Sequence, residues 1–174
     1  MKKIILSALA AILITSSAHA AIHSIANTSG VNNQQKGGQI GVGLAVGTLI
    51  GLSGQYWLDN HTALNGALAV EHGNFVMSAA HLWLFRGAFG NASRAATYFV
   101  PYVGAGAITA FGSSSDYFSR HGNSFAFAAQ APLGMEFLPS DQRFDIFAEI
   151  APSLEITPVV DTFFTGLVGA RFYF

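Results

Sequence analysis

The chain has 174 residues, of which 51% are hydrophobic and 10% are charged, with a formal net charge of −1 and no cysteine. A chain without cysteine has neither a disulfide framework nor a thiolate metal site. It carries no basic patch, so nucleic acid is not an expected partner. The length corresponds to one domain, which must be held together by backbone hydrogen bonds and side-chain packing.

Residues 1–20 have the composition of a cleavable signal peptide. Two lysines follow the first methionine, the apolar run 4–14 is too short to span a bilayer, and an Ala-x-Ala cleavage site ends at Ala20. We therefore expect an exported protein. Residues 21–38 are polar and irregular, which predicts a flexible periplasmic leader.

Residues 37–58 contain no charged side chain and are long enough for a transmembrane helix. Gly43, Gly47 and Gly51 also have the spacing of a helix-packing motif. Against a helix, apolar residues alternate with small ones at a period of two, and the many glycines would weaken a helix. The pattern favours strands.

Similar alternation recurs along the rest of the chain, and successive strand residues point to opposite faces. Strands are predicted at about residues 39–46, 52–58, 62–71, 75–85, 97–109, 124–138, 144–154 and 163–174. Their lengths are near those of tilted membrane strands, with an apolar row toward lipid and a polar row inward. The sequence thus predicts an all-β fold, an eight-stranded antiparallel up-and-down transmembrane β-barrel over residues 39–174, preceded by the signal peptide.

The faces are clearest in the last predicted strand and least clear in the fourth. In the last strand an uncharged row ends with Phe172 and Phe174, while Arg171 belongs to the opposite row. In the strand at 75–85, His81 is predicted to point inward. The residues placed toward lipid there are Val76, Ala80, Leu82 and Leu84.

Charged residues within the strands are expected inside the barrel, because a charge facing lipid at the bilayer midplane is costly. The predicted interior charge network consists of Glu71, Glu136, Asp145, Glu149 and Arg171. Arg171 is expected to pair with Glu136 or Glu149, since a guanidinium can bind a carboxylate bidentately. Eight strands enclose a bore that side chains can fill. A gated cation path or a proton site is the alternative use of these residues.

Four segments carry a resemblance to a known group of proteins. They are Gly-Leu-Ser-Gly-Gln-Tyr-Trp-Leu (51–58), Pro-Tyr-Val-Gly-Ala-Gly (101–106), Pro-Leu-Gly-Met-Glu-Phe-Leu-Pro (132–139) and Arg-Phe-Tyr-Phe (171–174). With them the chain resembles small, mostly uncharacterised bacterial outer-membrane barrels, similar in architecture to the OmpA transmembrane domain and OmpX. The resemblance implies a fold and an outer-membrane location more than an activity.

This interpretation suggests several partners. Outer-membrane lipid and lipopolysaccharide would surround the barrel, and the barrel-assembly machinery would recognise the terminal row through Phe172 and Phe174. The protein is expected to be a monomer. Because the last strand ends at Phe174, we expect no peptidoglycan-binding domain of the kind that often follows OmpA-like barrels.

The long predicted loop at 110–123 gives two further hypotheses. Tyr117, Phe118, Arg120 and His121 are surface-contact candidates, because aromatic residues and arginine often anchor interfaces. The same loop holds the residue types of a Ser-His-Asp set, which makes a lipid A-modifying enzyme the alternative function. Those residues are Ser113, Ser114, Ser115, Asp116 and His121.

No catalytic residue is assigned from the sequence. Serines and glycines are common in any solvated loop. The sequence has no His-x-Ser motif near the last strands and no amphipathic N-terminal helix, features that the known lipid A enzymes would lead one to expect. The histidines lack metal-ligand spacing, so no metal or other cofactor is expected.

Overall fold

The computed structural model describes residues 37–71, 74–90, 96–112, 125–158 and 160–174, and of Glu71 the backbone alone. Strands dominate these residues, and a single 3-10 turn, Ala96–Tyr98, lies among them. The strands are β1 (Ile40–Gly47), β2 (Gly51–Trp57), β3 (Thr62–Glu71), β4 (Asn74–Leu84), β5 (Phe99–Phe111), β6 (Phe125–Gln130), β7 (Leu133–Phe137), β8 (Phe144–Thr157) and β9 (Asp161–Tyr173). Within the described ranges, no helix has the length and hydrophobicity needed to cross a membrane.

The strands form one closed antiparallel sheet. Neighbours in sequence pair from β1 to β5, β8 pairs with β9, and β9 returns to pair with β1. Both β6 and β7 lie between β5 and β8, so they share one position in the ring. The ring therefore has eight positions, and the predicted eight-stranded antiparallel barrel is confirmed.

The predicted strand at 124–138 is interrupted at Ala131 and Pro132. Proline cannot donate a backbone hydrogen bond to a sheet, so the ladder is broken there. The two residues still tie β6–β7 to both neighbours, because the Ala131 N–H donates to the Pro152 carbonyl at 3.0 Å and the Gly104 N–H donates to the Pro132 carbonyl at 2.7 Å.

Other strand boundaries differ from the predicted ones. β5 starts at Phe99, after the 3-10 turn, and continues to Phe111. β8 and β9 extend beyond their predicted ends because their pairing continues as far as Glu155 and Asp161. Polar residues there indicated a loop, but regular backbone pairing of the two strands includes them.

The predicted faces of β4 were wrong. Val76, Leu82 and Leu84 are buried, and Leu82 is 0% exposed, whereas Trp83 on the opposite row is 40% exposed. His81 belongs to the outward row and its ring lies 4.8 Å from that of Trp83. Both rows of β4 are largely apolar, so alternation of polarity did not distinguish them.

The barrel interior contains an apolar cluster near each end. One, here called the Trp57 cluster, lies at the end where β2 meets β3 and includes Trp57, Ala63, Leu82, Leu84, Val100, Tyr102, Leu138 and Tyr173. The other, the Ile108 cluster, lies toward the β1–β2 and β3–β4 connections and includes Leu49, Ala69, Val76, Ile108, Ala110, Ala126 and Ala128. Polar and charged side chains occupy much of the interior between them.

The outer face is apolar around the ring. Large side chains are exposed there on successive strands, with Leu44 at 64% and Phe164 at 72%. On β2 the inward row, Ser53, Gln55 and Trp57, is buried, as its alternation predicts.

Candidate functional site

Arg171 on β9 points into the barrel, and the strand register places it directly opposite Asp145 on β8. Arg171 is 2% exposed and Asp145 is fully buried, as is Glu136 from β7. Three neighbouring inward rows therefore meet in one ion-pair cluster, defined by Arg171, Asp145 and Glu136.

The guanidinium of Arg171 binds both carboxylates at once. Its Nε donates to Asp145 Oδ1 at 3.1 Å and to Oδ2 at 3.0 Å, and its Nη2 lies 2.8 Å from Oδ2. The same Nη2 donates to Glu136 Oε1 at 2.7 Å. Charge-assisted bonds of this length are among the stronger ones in proteins. One cation thus links β7, β8 and β9.

Aromatic side chains enclose this cluster. The Tyr173 hydroxyl donates to Asp145 Oδ2 at 2.6 Å, and the Arg171 guanidinium carbon lies 4.2 Å from the centre of the Phe147 ring. A Cβ added to Gly41 on β1 would lie 2.5 Å from the Tyr173 ring, so the absence of a side chain there makes room for the phenol.

Trp57 and Arg86 continue the packing toward the nearer end of the barrel. The Trp57 ring lies 6.1 Å from that of Tyr173, and the Arg86 guanidinium lies 4.9 Å from the Trp57 ring. Arg86 Nε donates to the Asn60 carbonyl at 2.6 Å, which fixes the side chain against the β2–β3 turn. Cation–π contacts of this kind stabilise a partly desolvated arginine.

Glu149 is not bound by Arg171. Its Oε2 accepts a hydrogen bond from the Tyr102 hydroxyl at 2.8 Å. The register places Gly134 between them, opposite Glu149 on one side and Tyr102 on the other. Of the two partners expected for Arg171, the structure brings Glu136 to it and leaves Glu149 to a tyrosine.

Several buried polar atoms near the cluster have no hydrogen-bond partner among the described residues. They are Gln55 Nε2 and Oε1, Trp57 Nε1, Glu136 Oε2 and Arg171 Nη1. The Gln55 amide lies beside the Glu136 carboxylate, but the two groups do not have the geometry of a hydrogen bond. The cluster also has one cation for two carboxylates, so it is incompletely compensated.

This arrangement is suited to holding strands together. Within the described ranges, the Thr62 hydroxyl donates to the Asp59 carboxylate in the exposed β2–β3 turn, away from the cluster, and no group of three His, Asp or Glu side chains could hold a metal ion. Glu71 pairs through its backbone with Asn74 at the β3–β4 connection. Phe172 and Phe174 lie exposed on the outer face.

The remaining predicted residues lie outside the described ranges. These are the signal peptide and most of the leader, the loop candidates Tyr117, Phe118, Arg120 and His121, and the Ser113–Ser115 and Asp116 set.

Sequence reasoning missed the aromatic partners. Tyr173 was in the same inward row as Arg171 and could have been recognised from that row alone. Tyr102 and Phe147 required the register between strands, for which the sequence provides no signal.

No family model matches the chain, and no curated protein matches it significantly. Among solved structures, the chain is similar to the crystal structure of the N-terminal β-barrel domain of Pseudomonas aeruginosa OprF. The two are 16% identical, with 76% of this chain and 93% of that one covered and a TM-score of 0.53. A likeness at this identity concerns the fold alone. The chain thus shares the closed antiparallel β-barrel fold of that domain, as an OmpA-like architecture would predict.

Proposed function

We propose that this protein is an integral outer-membrane β-barrel with a structural or surface-interaction role and an interior filled by side chains. The observation that carries the proposal is the closed ring with an apolar outer face. Soluble monomers rarely expose contiguous apolar patches of more than a few hundred Å². Lipid would cover such a face, and ring closure satisfies the backbone groups that lipid cannot bind.

The distribution of charge supports the same proposal. Arg171, Asp145 and Glu136 are buried inside the ring. A charge at the bilayer midplane is tolerated when it faces the protein interior and has a partner. The outer rows, by contrast, consist largely of leucine, valine, isoleucine and phenylalanine.

The filled interior supports a structural role over transport. The Trp57 cluster and the Ile108 cluster lie near opposite ends of the barrel, with the ion-pair cluster between them. Eight strands leave a bore that side chains can fill.

The proposed partners follow from this location. Lipid and lipopolysaccharide would contact the outer face, and the barrel-assembly machinery would bind the terminal row through Phe172 and Phe174, which are exposed. Residues 1–20 would direct export, and the barrel would be a monomer.

A pair of arginine substitutions tests the membrane location. Leu44 lies in the middle of β1 on the outer face, whereas Leu58 lies just beyond the end of β2. In a bilayer, Leu44→Arg should cost about 2–4 kcal/mol and Leu58→Arg about 0–1 kcal/mol. Folding into lipid vesicles, followed by the temperature at which heat-modifiable gel mobility is lost, measures both.

The two variants distinguish lipid from water around the barrel. If water surrounded the outer face, Leu44→Arg would replace an exposed apolar side chain with a solvated charge and would leave stability nearly unchanged. Equal stability of Leu44→Arg and the wild type in vesicles would therefore contradict the proposal.

The surface-interaction role can be tested on the segment predicted from the sequence to be a loop, which contains Tyr117, Phe118, Arg120 and His121. If the full-length barrel makes intact cells bind to a surface or a protein, removing residues 112–122 should abolish that binding. The shortened barrel should still fold. If cells that express the shortened form bind as well as cells that express the full-length form, this segment has no such role and the structural role remains.

A further inference from the structure

A small cavity lies inside the barrel between the two apolar clusters. Its volume is about 20 Å³, and its polar lining side chains are Ser53, Asn65, Ser78, Gln130 and Glu149. They come from β2, β3, β4, β6 and β8. Asn65, Ser78, Gln130 and Glu149 belong to inward rows yet keep part of their surface accessible, which is consistent with contact to this internal space.

The size and lining of the cavity limit what it can hold. A space of roughly 10–15 Å³ is the minimum for one water molecule, so about 20 Å³ fits a single small species. Hydroxyl and amide oxygens around a carboxylate are hard ligands that suit a small cation. An apolar guest would leave these groups without partners.

The charge on Glu149 indicates the sign of the guest. Tyr102 donates one hydrogen bond to this carboxylate, and no Lys or Arg of the described ranges lies within ion-pair distance of it. Arg171 is occupied by Asp145 and Glu136. A partly buried carboxylate without a cationic partner loses some of its hydration, and a bound cation would offset that cost.

The number of acids indicates the valence. A calcium site takes six to eight oxygen ligands, commonly including several carboxylates. Glu149 is the only acid in the cavity lining, and the described residues bring no three His, Asp or Glu side chains together. A single positive charge matches a single carboxylate.

We propose that this cavity binds one monovalent cation, Na⁺, through the carboxylate of Glu149 and the neutral oxygens of Ser53, Asn65 and Ser78. The ion joins β2, β3 and β4 to β8 across the interior. Binding stabilises the folded barrel, because the unfolded chain has no such site.

The test compares the full chain, folded in detergent, in NaCl and in choline chloride at equal ionic strength. Choline is too large for the cavity, so the midpoint temperature of thermal unfolding should be higher in NaCl than in choline chloride. It should rise by roughly 3 °C for each tenfold increase in Na⁺ above the dissociation constant. Fluorescence of Trp57 and Trp83, or gel mobility, reports the midpoint.

Variants locate the effect. Glu149→Gln keeps the size of the side chain and should remove the difference between the salts, whereas Asp141→Asn, in the exposed β7–β8 turn, should retain it. If Glu149→Gln does not fold, Ser78→Val removes a cavity hydroxyl and should reduce the difference. Equal wild-type midpoints in the two salts, or a full difference in the folded cavity variants, would overturn the proposal.

Discussion

Arg171 places its positive charge inside the barrel beside β7, β8 and β9, where two carboxylates and a phenol surround it. Burying an ion pair is expensive, so the pair as a whole contributes less to stability than its short distances suggest. Removing one member is a different matter, because the remaining charges stay buried without a partner. The stability of the fold therefore depends strongly on the Arg171 side chain.

Arg171→Ala should therefore destabilise the barrel by about 3–5 kcal/mol. The temperature at which heat-modifiable gel mobility is lost should fall well below that of the wild type. Arg143→Ala, an exposed arginine in the β7–β8 turn, is the control and should change it little. An unchanged temperature for Arg171→Ala would contradict the role of the ion-pair cluster.

Asp59 has a separate role in the turn between β2 and β3. Its Oδ1 accepts from the backbone N–H groups of His61 at 2.6 Å and Thr62 at 2.8 Å, and its Oδ2 accepts from the Thr62 hydroxyl at 2.7 Å. Partial burial acts to raise the pKa of Asp59, but these hydrogen bonds outweigh it and hold the pKa below its ordinary value of 3.8.

A lowered pKa predicts the pH dependence of the turn. The ionised carboxylate stabilises the fold above the ordinary pKa, and this contribution disappears as the pH falls through the lower folded-state pKa. Asp59→Asn should thus unfold at a lower temperature than the wild type at pH 6, with the gap closing below about pH 4. Unfolding temperatures measured from pH 2 to 6 check this, and a gap independent of pH would contradict it.

At the scale of a strand, the inward rows combine large rings with residues that lack side chains. Gly134 on β7 lies under the Tyr102 phenol, and a Cβ added there would collide with that ring and approach the Ala148 carbonyl oxygen to 2.6 Å. Gly54 on β2 faces outward, and the nearest atom to an added Cβ is the Gly41 carbonyl oxygen at 3.8 Å.

Gly134→Ala should consequently destabilise the barrel by about 1–3 kcal/mol through overpacking. Gly54→Ala is the matched control and should be neutral or slightly stabilising, because alanine lowers the entropy of the unfolded chain. Denaturant titration of both variants in the same micelles makes the comparison. Similar midpoints for the two would show that the space over Gly134 is not limiting.

The strands also show how far sequence reasoning extends. Alternation of polar and apolar residues with a period of two predicted the barrel strands. It also predicted the faces of β2 and β9 and the inward direction of Arg171, because the polar and apolar rows differ clearly in those strands. β4 failed because Val76 and Leu82 inside are as apolar as Met77 outside. Tyr102 could not be assigned to Glu149, since their contact depends on how β5, β7 and β8 are aligned.

For the whole molecule, two apolar clusters at opposite ends of a narrow bore predict an impermeable barrel. The wild-type protein in planar lipid bilayers should show no steady conductance. Unfolded protein, which has lost its heat-modifiable gel mobility, gives the background conductance for comparison. A steady conductance that disappears in Glu149→Ala would contradict the filled interior and favour a cation path.

The pairing of β1 with β9 has a consequence for how the barrel is made. Thr48 and Gly166, 118 positions apart, are joined by hydrogen bonds across this seam. During synthesis β1 is complete long before β9 exists, so its free edge must be kept from pairing with other chains. An open sheet would also present two rows of unpaired backbone groups to hydrocarbon. In the membrane location proposed above, closing the seam and entering the bilayer would therefore have to be a single coupled event.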